Sequence, residues 1–287
     1  METEEILGIS AFVITMAILL SASIKDWKER EVPDIHWVVL GAAGLIMFFS
    51  YSVYLTGFRW EYACLAAGTA LMLLDILWDK ELNPLLIYLP MAVLFIIPLY
   101  PNLSEDIFRA WASVPLCYLV YVGLYLVSIV RGGADVKCLI TLSIMFPLYP
   151  RFFGFPLIDI PETLFSQIFV YSISVLFVAA IMVIPVAAYF AARNAKEDGF
   201  SKRMFSGYKM SISKAENADV WPLEDIVDGR LTSIKIPDDE EIGDIYLRLK
   251  ETGREDVWVT PMIPFIVMIS AAAAFLMLIG NPLFLIF

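Results

Sequence analysis

What constrains this chain most is a recurrence of apolar stretches, from residue 6 to residue 287, each close to the length that crosses a bilayer. About twenty such residues are needed to cross about 30 Å of hydrocarbon. With 60% hydrophobic residues and a mean hydropathy of +0.75, the chain is far more apolar than a soluble domain. Its solvent is therefore the bilayer, and the expected fold is an all-α polytopic membrane protein. Eight spans are predicted, at residues 6–24, 35–55, 62–78, 84–100, 107–130, 136–149, 164–192 and 262–279. Pro147 and Pro150 interrupt the sixth, which predicts a bent or partly inserted helix. The seventh is long enough to tilt or protrude.

The acidic opening Met1-Glu2-Thr3-Glu4-Glu5 lacks the basic region and small-residue cleavage site of a secretory signal, so the first span reads as a retained helix. Basic residues set the orientation. With the N-terminus outside, the inner segments hold Lys25, Lys28, Arg30, Lys80, Arg131 and Lys137, while the outer loops keep only Arg59, Arg109 and Arg151. The net charge of −11 resides in loops.

One region breaks the pattern. Residues 193–260 are polar and punctuated by glycines, among them Gly199, Gly207, Gly229, Gly243 and Gly253. Within them residues 231–236 alternate as a strand does, and residues 237–250 read as a helix with acids in its first turn and bases in its last. The expected organisation is a transmembrane bundle at 1–192, a small cytosolic α+β subdomain at 193–260 with Val220, Trp221, Leu223, Ile226 and Val227 in its core, and a final span in 261–287. The cysteines Cys64, Cys117 and Cys138 stand singly, and His36 is the lone histidine, so neither a disulfide framework nor a metal site is expected.

Two stretches place an aspartate at the inner end of a span, beside bases and helix breakers. One is Lys25-Asp26 followed by Arg30, Pro33 and Asp34; the other is Gly132-Gly133-Ala134-Asp135 followed by Lys137. Alone, Asp26 is an ordinary loop acid and the glycines an ordinary junction. Together they meet the minimum for aspartyl hydrolysis, in which two carboxyl groups share one proton. One of them takes a proton from attacking water while the other hydrogen-bonds the scissile carbonyl.

These residues resemble the GxGD-type aspartyl peptidases that process type IV prepilins and archaeal preflagellins. The family pattern is an aspartate after the first membrane helix with a basic, proline-containing loop, then a Gly-x-Gly-Asp or looser motif followed two positions on by Lys. Asp26 with Arg30, Pro33 and Asp34 matches the first part, and Gly132, Gly133, Asp135 and Lys137 match the second; Ala134 departs from the strict second glycine. Residues 258–264 look like the C-terminal region of archaeal members. The resemblance implies catalytic Asp26 and Asp135, supported by the glycines. The implied substrate is a type IV pilin or archaellin precursor whose short basic class III-type leader is removed at the cytoplasmic face. Bacterial relatives add methylation and cysteine pairs; the absence of such pairs here implies a peptidase without methyltransferase activity, cofactor or metal. The lipid bilayer is the other partner, and nucleic acid is not one.

Other groups are weighed beside the dyad. Lys25 and Lys137 either tune the two acids or mark topology. Asp34 reads as the N-cap of the second span or a contact for the leader. Asp75 either lines the same cavity or reaches the interface. The acidic run with Asp238, Glu240 and Glu241 is either a solvated face or an attractor for the basic leader. A presenilin-like protease, a proton or cation carrier, and an inactive scaffold subunit are the alternatives.

Overall fold

The computed structural model describes residues 3–78, 83–160, 170–197, 205, 207–237 and 239–285. Lys80, Gly199, Asp238 and the start of the predicted seventh span at 164 lie outside them. Apart from one turn at Ile212–Ala215, the α-helices are α1 (Thr3–Glu29), α2 (Ile35–Thr56), α3 (Trp60–Leu77), α4 (Pro84–Leu99), α5 (Asp106–Leu126), α6 (Gly133–Met145), α7 (Tyr171–Glu197), α8 (Ile242–Glu251) and α9 (Phe265–Leu278). Helices α1 to α5 and α7 are long and apolar enough to cross a membrane, α4 with the 3-10 turn Tyr100–Asn102 that continues it. The protein is thus a polytopic membrane protein.

Two of the predicted spans are shorter. Helix α9 has 14 residues and α6 only 13, about 20 Å at 1.5 Å per residue. Helix α6 stops at Met145 because Pro147 follows within a turn, with Pro150 soon after. Every side chain from position 138 to 145 is buried, as expected of a helix that is apolar all round and sits in the interior of a bundle. Its neighbours include α2, α3, α5 and α9. Being screened from lipid, it need not match the bilayer thickness.

Helices α2 and α6 run parallel, with Gly41 against Thr141 and Gly44 against Met145. A Cβ on Gly44 would lie 2.6 Å from the Cα of Met145, so only glycine permits this approach. Helices α1 and α9 run antiparallel. The Ser23 and Ser270 hydroxyls meet at 2.8 Å, and Ser270 also donates to the carbonyl of Leu19 at 3.4 Å. These registers bring the end of α1 and the starts of α2, α6 and α9 to one end of the bundle. At the α2–α3 and α4–α5 junctions, Arg59 donates to both oxygens of Glu105 and to Asn102 and lies over the Phe108 ring.

The chain divides into two compact units, Met1–Ala180 with Pro264–Phe287, and Ile181–Ile263. The second unit holds an antiparallel sheet ordered β1 (Tyr208–Ser211), β5 (Asp256–Pro261), β2 (Val220–Pro222), and a hairpin of β3 (Glu224–Val227) with β4 (Arg230–Ser233). Asp228 and Gly229 both take positive φ at the hairpin turn, which suits the strand twist. Helix α8 packs Ile245, Tyr246 and Leu249 on Ile212, Val220, Val257 and Val259. Of the residues expected in this core, Val220 is buried and Ile226 packs against it, but Val227 is exposed beside the turn. The strand predicted at 231–236 ends at Ser233, and the helix predicted from 237 starts at Ile242 after a 3-10 turn, Asp239–Glu241.

Candidate active site

Helix α1 ends where Arg30 turns to positive φ, its N–H still bonded to the carbonyl of Asp26 at 3.2 Å, and Pro33 prevents continuation. Asp26 therefore sits in the last turn, half-buried. An anion there faces the negative end of its own helix dipole. A second helix offsets this. The Asp26 carboxylate accepts the backbone N–H of Ile266 at 3.1 Å, in the first turn of α9, where N–H groups have no partner within the helix. The N–H of Val267 and the charge of Arg30 also bear on it.

Asp135 arises differently. Gly132 stands at the N-cap of α6, and Asp135 lies in the first turn, at the positive end of its own helix. Its carboxyl folds back over Gly132. A Cβ on Gly132 would come within 2.8 Å of the Asp135 Cγ and closer still to Oδ2, whereas one on Gly133 would meet nothing within 4 Å. The two glycines of the motif are thus unequal. Ala134, where the strict pattern has glycine, is half-buried in the same turn. Asp135 has no hydrogen-bond partner among the described residues, and the charge that reaches it is that of Asp26.

The remaining candidates fall around this pair or away from it. Lys137 donates to both oxygens of Asp34 at 2.7 Å. Asp34 occupies the N-cap position of α2 but has helical backbone angles and makes no side-chain cap bond, so the capping role expected of it is not the one it performs. Lys25 pairs with Glu29 one turn on. His36 donates from Nδ1 to the carbonyl of Pro33 at 2.9 Å, which leaves Nε2 to accept from Ser21 at 3.1 Å. Asp75 accepts the Tyr118 hydroxyl between α3 and α5. Glu240 and Glu241 are exposed in the second unit. The sequence reading missed Ile266. Pro264 before an apolar run signals a helix start and free N–H groups, but nothing local says which acid they meet.

Two carboxyl groups from different helices, within electrostatic reach of each other, can divide acid and base roles between identical side chains. Among the described residues no cluster of His, Cys, Asp and Glu could hold a metal ion.

Comparison with known families gives two matches. Residues 13–83 match the type IV leader peptidase family, and residues 201–281 match the family described as archaeal peptidase A24 C-terminus type II. No curated protein matches the chain. Asp26 and Asp34 lie in the first matched segment and Ile266 in the second; Asp135 lies in neither.

Proposed function

The chain belongs to the type IV leader peptidase family, and we propose that it is a membrane aspartyl endopeptidase in which Asp26 and Asp135 share a proton and activate water. The observation that carries this is the convergence of Asp26 and Asp135 at one end of the bundle. Asp26, which already accepts the N–H of Ile266, is the proton acceptor. Asp135, without a donor of its own, holds the proton and hydrogen-bonds the scissile carbonyl. Water attacks that carbon, its proton passes to Asp26, and the tetrahedral intermediate collapses as the departing amine takes a proton from the pair.

The substrate is a type IV pilin-like or archaellin precursor, cut between a short basic leader and its hydrophobic helix. The excess of Lys and Arg on the segments flanking the two aspartates supports a cytoplasmic active site with the N-terminus outside. Glu240 and Glu241, with Asp238 in the same run, would draw the leader electrostatically. Asp75 with its tyrosine reads as a contact between spans rather than part of the dyad. Methyltransferase activity is not part of this reading.

The test is cleavage of a basic leader joined to a hydrophobic helix by detergent-purified enzyme, with the cut located by mass spectrometry. One new terminus before the helix, lost in both Asp26→Asn and Asp135→Asn, is the expected result. Cleavage that survives either substitution would overturn the dyad.

A further inference from the structure

We infer that Asp34 and Lys137 are positioning residues for the two aspartates: their ion pair locks, at the start of α6, the rotation that the glycine contacts with α2 set further along it, and so the direction in which Asp135 points. The inference rests on the peptidase reading above. It begins with the surface of α6. Positions 138–145 are buried on all sides, so burial alone does not choose a rotation; shape does, through Thr141 and Met145 seated against Gly41 and Gly44 of α2, and Lys137 lies one turn earlier on that same face. Its hydroxyls add no polar anchor. Thr141 and Ser143 donate to carbonyls of their own helix, at Lys137 and Cys138 and at Ile140.

Lys137 supplies one. Its ammonium bridges both oxygens of Asp34 at 2.7 Å, across two elements and 103 positions of sequence. Two positions along an α-helix correspond to a turn of about 200°, so Lys137 and Asp135 point to nearly opposite sides of α6. Holding Lys137 against α2 therefore aims Asp135 away from α2. Asp34 is itself fixed: its carbonyl accepts the N–H groups of Trp37 and Val38, both at 2.9 Å, and the preceding Pro33 is held by His36. Pro33 and Asp34 also follow closely on the last turn of α1, so one short loop joins the turn that holds Asp26 to the anchor for Asp135. Both side chains of the pair are largely shielded, at 22% and 35% exposure, which makes the contact stronger than a surface pair.

A double-mutant cycle on the full-length enzyme tests this. Asp34→Asn and Lys137→Met are each expected to lower kcat about tenfold with KM unchanged within about twofold, and the double variant to be no worse than the weaker single. Lys137→Arg, which keeps the cation, is expected to retain most of kcat, which loss of folding could not explain. A raised KM with kcat intact would make Asp34 a contact for the basic leader and overturn the inference. So would losses that simply add, or no loss at all. If the parent enzyme cleaves and these variants cleave equally well, only this inference falls. If the parent cleaves nothing, the peptidase reading falls and takes this with it. Should Lys137→Met fail to fold, Lys137→Arg decides alone: a tenfold loss of kcat there, with the melting transition kept, overturns the inference.

Discussion

The two segments that bring aspartates to the site solve the same electrostatic problem by opposite means. Asp135 stands at the start of a short helix that is buried from position 138 onward, where the dipole of that helix already favours negative charge. Asp26 stands at the end of a 27-residue helix, against its own dipole. Its compensation comes from α9. A helix dipole contributes about 0.3–1 kcal/mol, while a hydrogen bond to a charged group contributes about 1.5–3 kcal/mol. The single N–H of Ile266 therefore outweighs the unfavourable end of α1. An aspartate at the start of a helix is served by that helix itself, and one at the end can be placed as well, provided a second helix supplies the positive end.

The most severe way to break this symmetry of purpose is to remove either acid. Asp26→Asn and Asp135→Asn should each reduce cleavage by about a thousandfold or more, read in the assay described above. Unequal residual rates would show that the two do not act as one unit. A sharper contrast lies within the motif. Gly132→Ala should cost about a hundredfold in kcat, because its Cβ would occupy the space of the Asp135 carboxyl, while Gly133→Ala should stay within about twofold. Equal effects would refute the conformation assigned to Asp135. On the α1 side, Ile266→Pro deletes one N–H at a first-turn position that tolerates proline. About a tenfold loss of kcat is expected, since Val267 remains, with Ile266→Ala keeping the rate at some cost in melting temperature.

The smallest effect belongs to the second unit. The Arg248 guanidinium, donating to both oxygens of Asp225 at 2.9 and 2.7 Å, holds that carboxyl below its usual range. Its folded value is depressed, so the stabilisation is complete above about pH 4 and is lost as pH falls through the lowered value. Arg248 is partly exposed, which limits the contribution to about 1 kcal/mol. Melting of full-length protein across acid pH should lose part of its slope in Asp225→Asn and leave cleavage at neutral pH unchanged.

Much of this was legible in the sequence because its causes are local. Apolar length predicted the spans, Pro147 predicted the early end of α6, and Gly132 and Gly133 marked a helix junction; that Gly132 alone makes room for the Asp135 carboxyl shows only in the structure. What escaped depends on partners that spacing does not encode. Asp34 carries the residue type and the position of a cap, yet Lys137 claims its carboxylate. Lys25 and Lys137 looked alike as cations near an acid, but one pairs within its own helix and the other across the bundle. The shortness of α6 follows from being surrounded, which is a property of its neighbours.

The bond between Ile266 and Asp26 spans 240 positions of the chain, and this bears on biogenesis. During synthesis the first aspartate emerges early, and the second follows once α6 has been made. The donor that secures the first arrives only with α9, after the whole second unit has been translated. Until then the end of α1 lacks the positive helix end it faces in the finished protein. An insertion intermediate halted before that helix would carry both acids without this arrangement of the site.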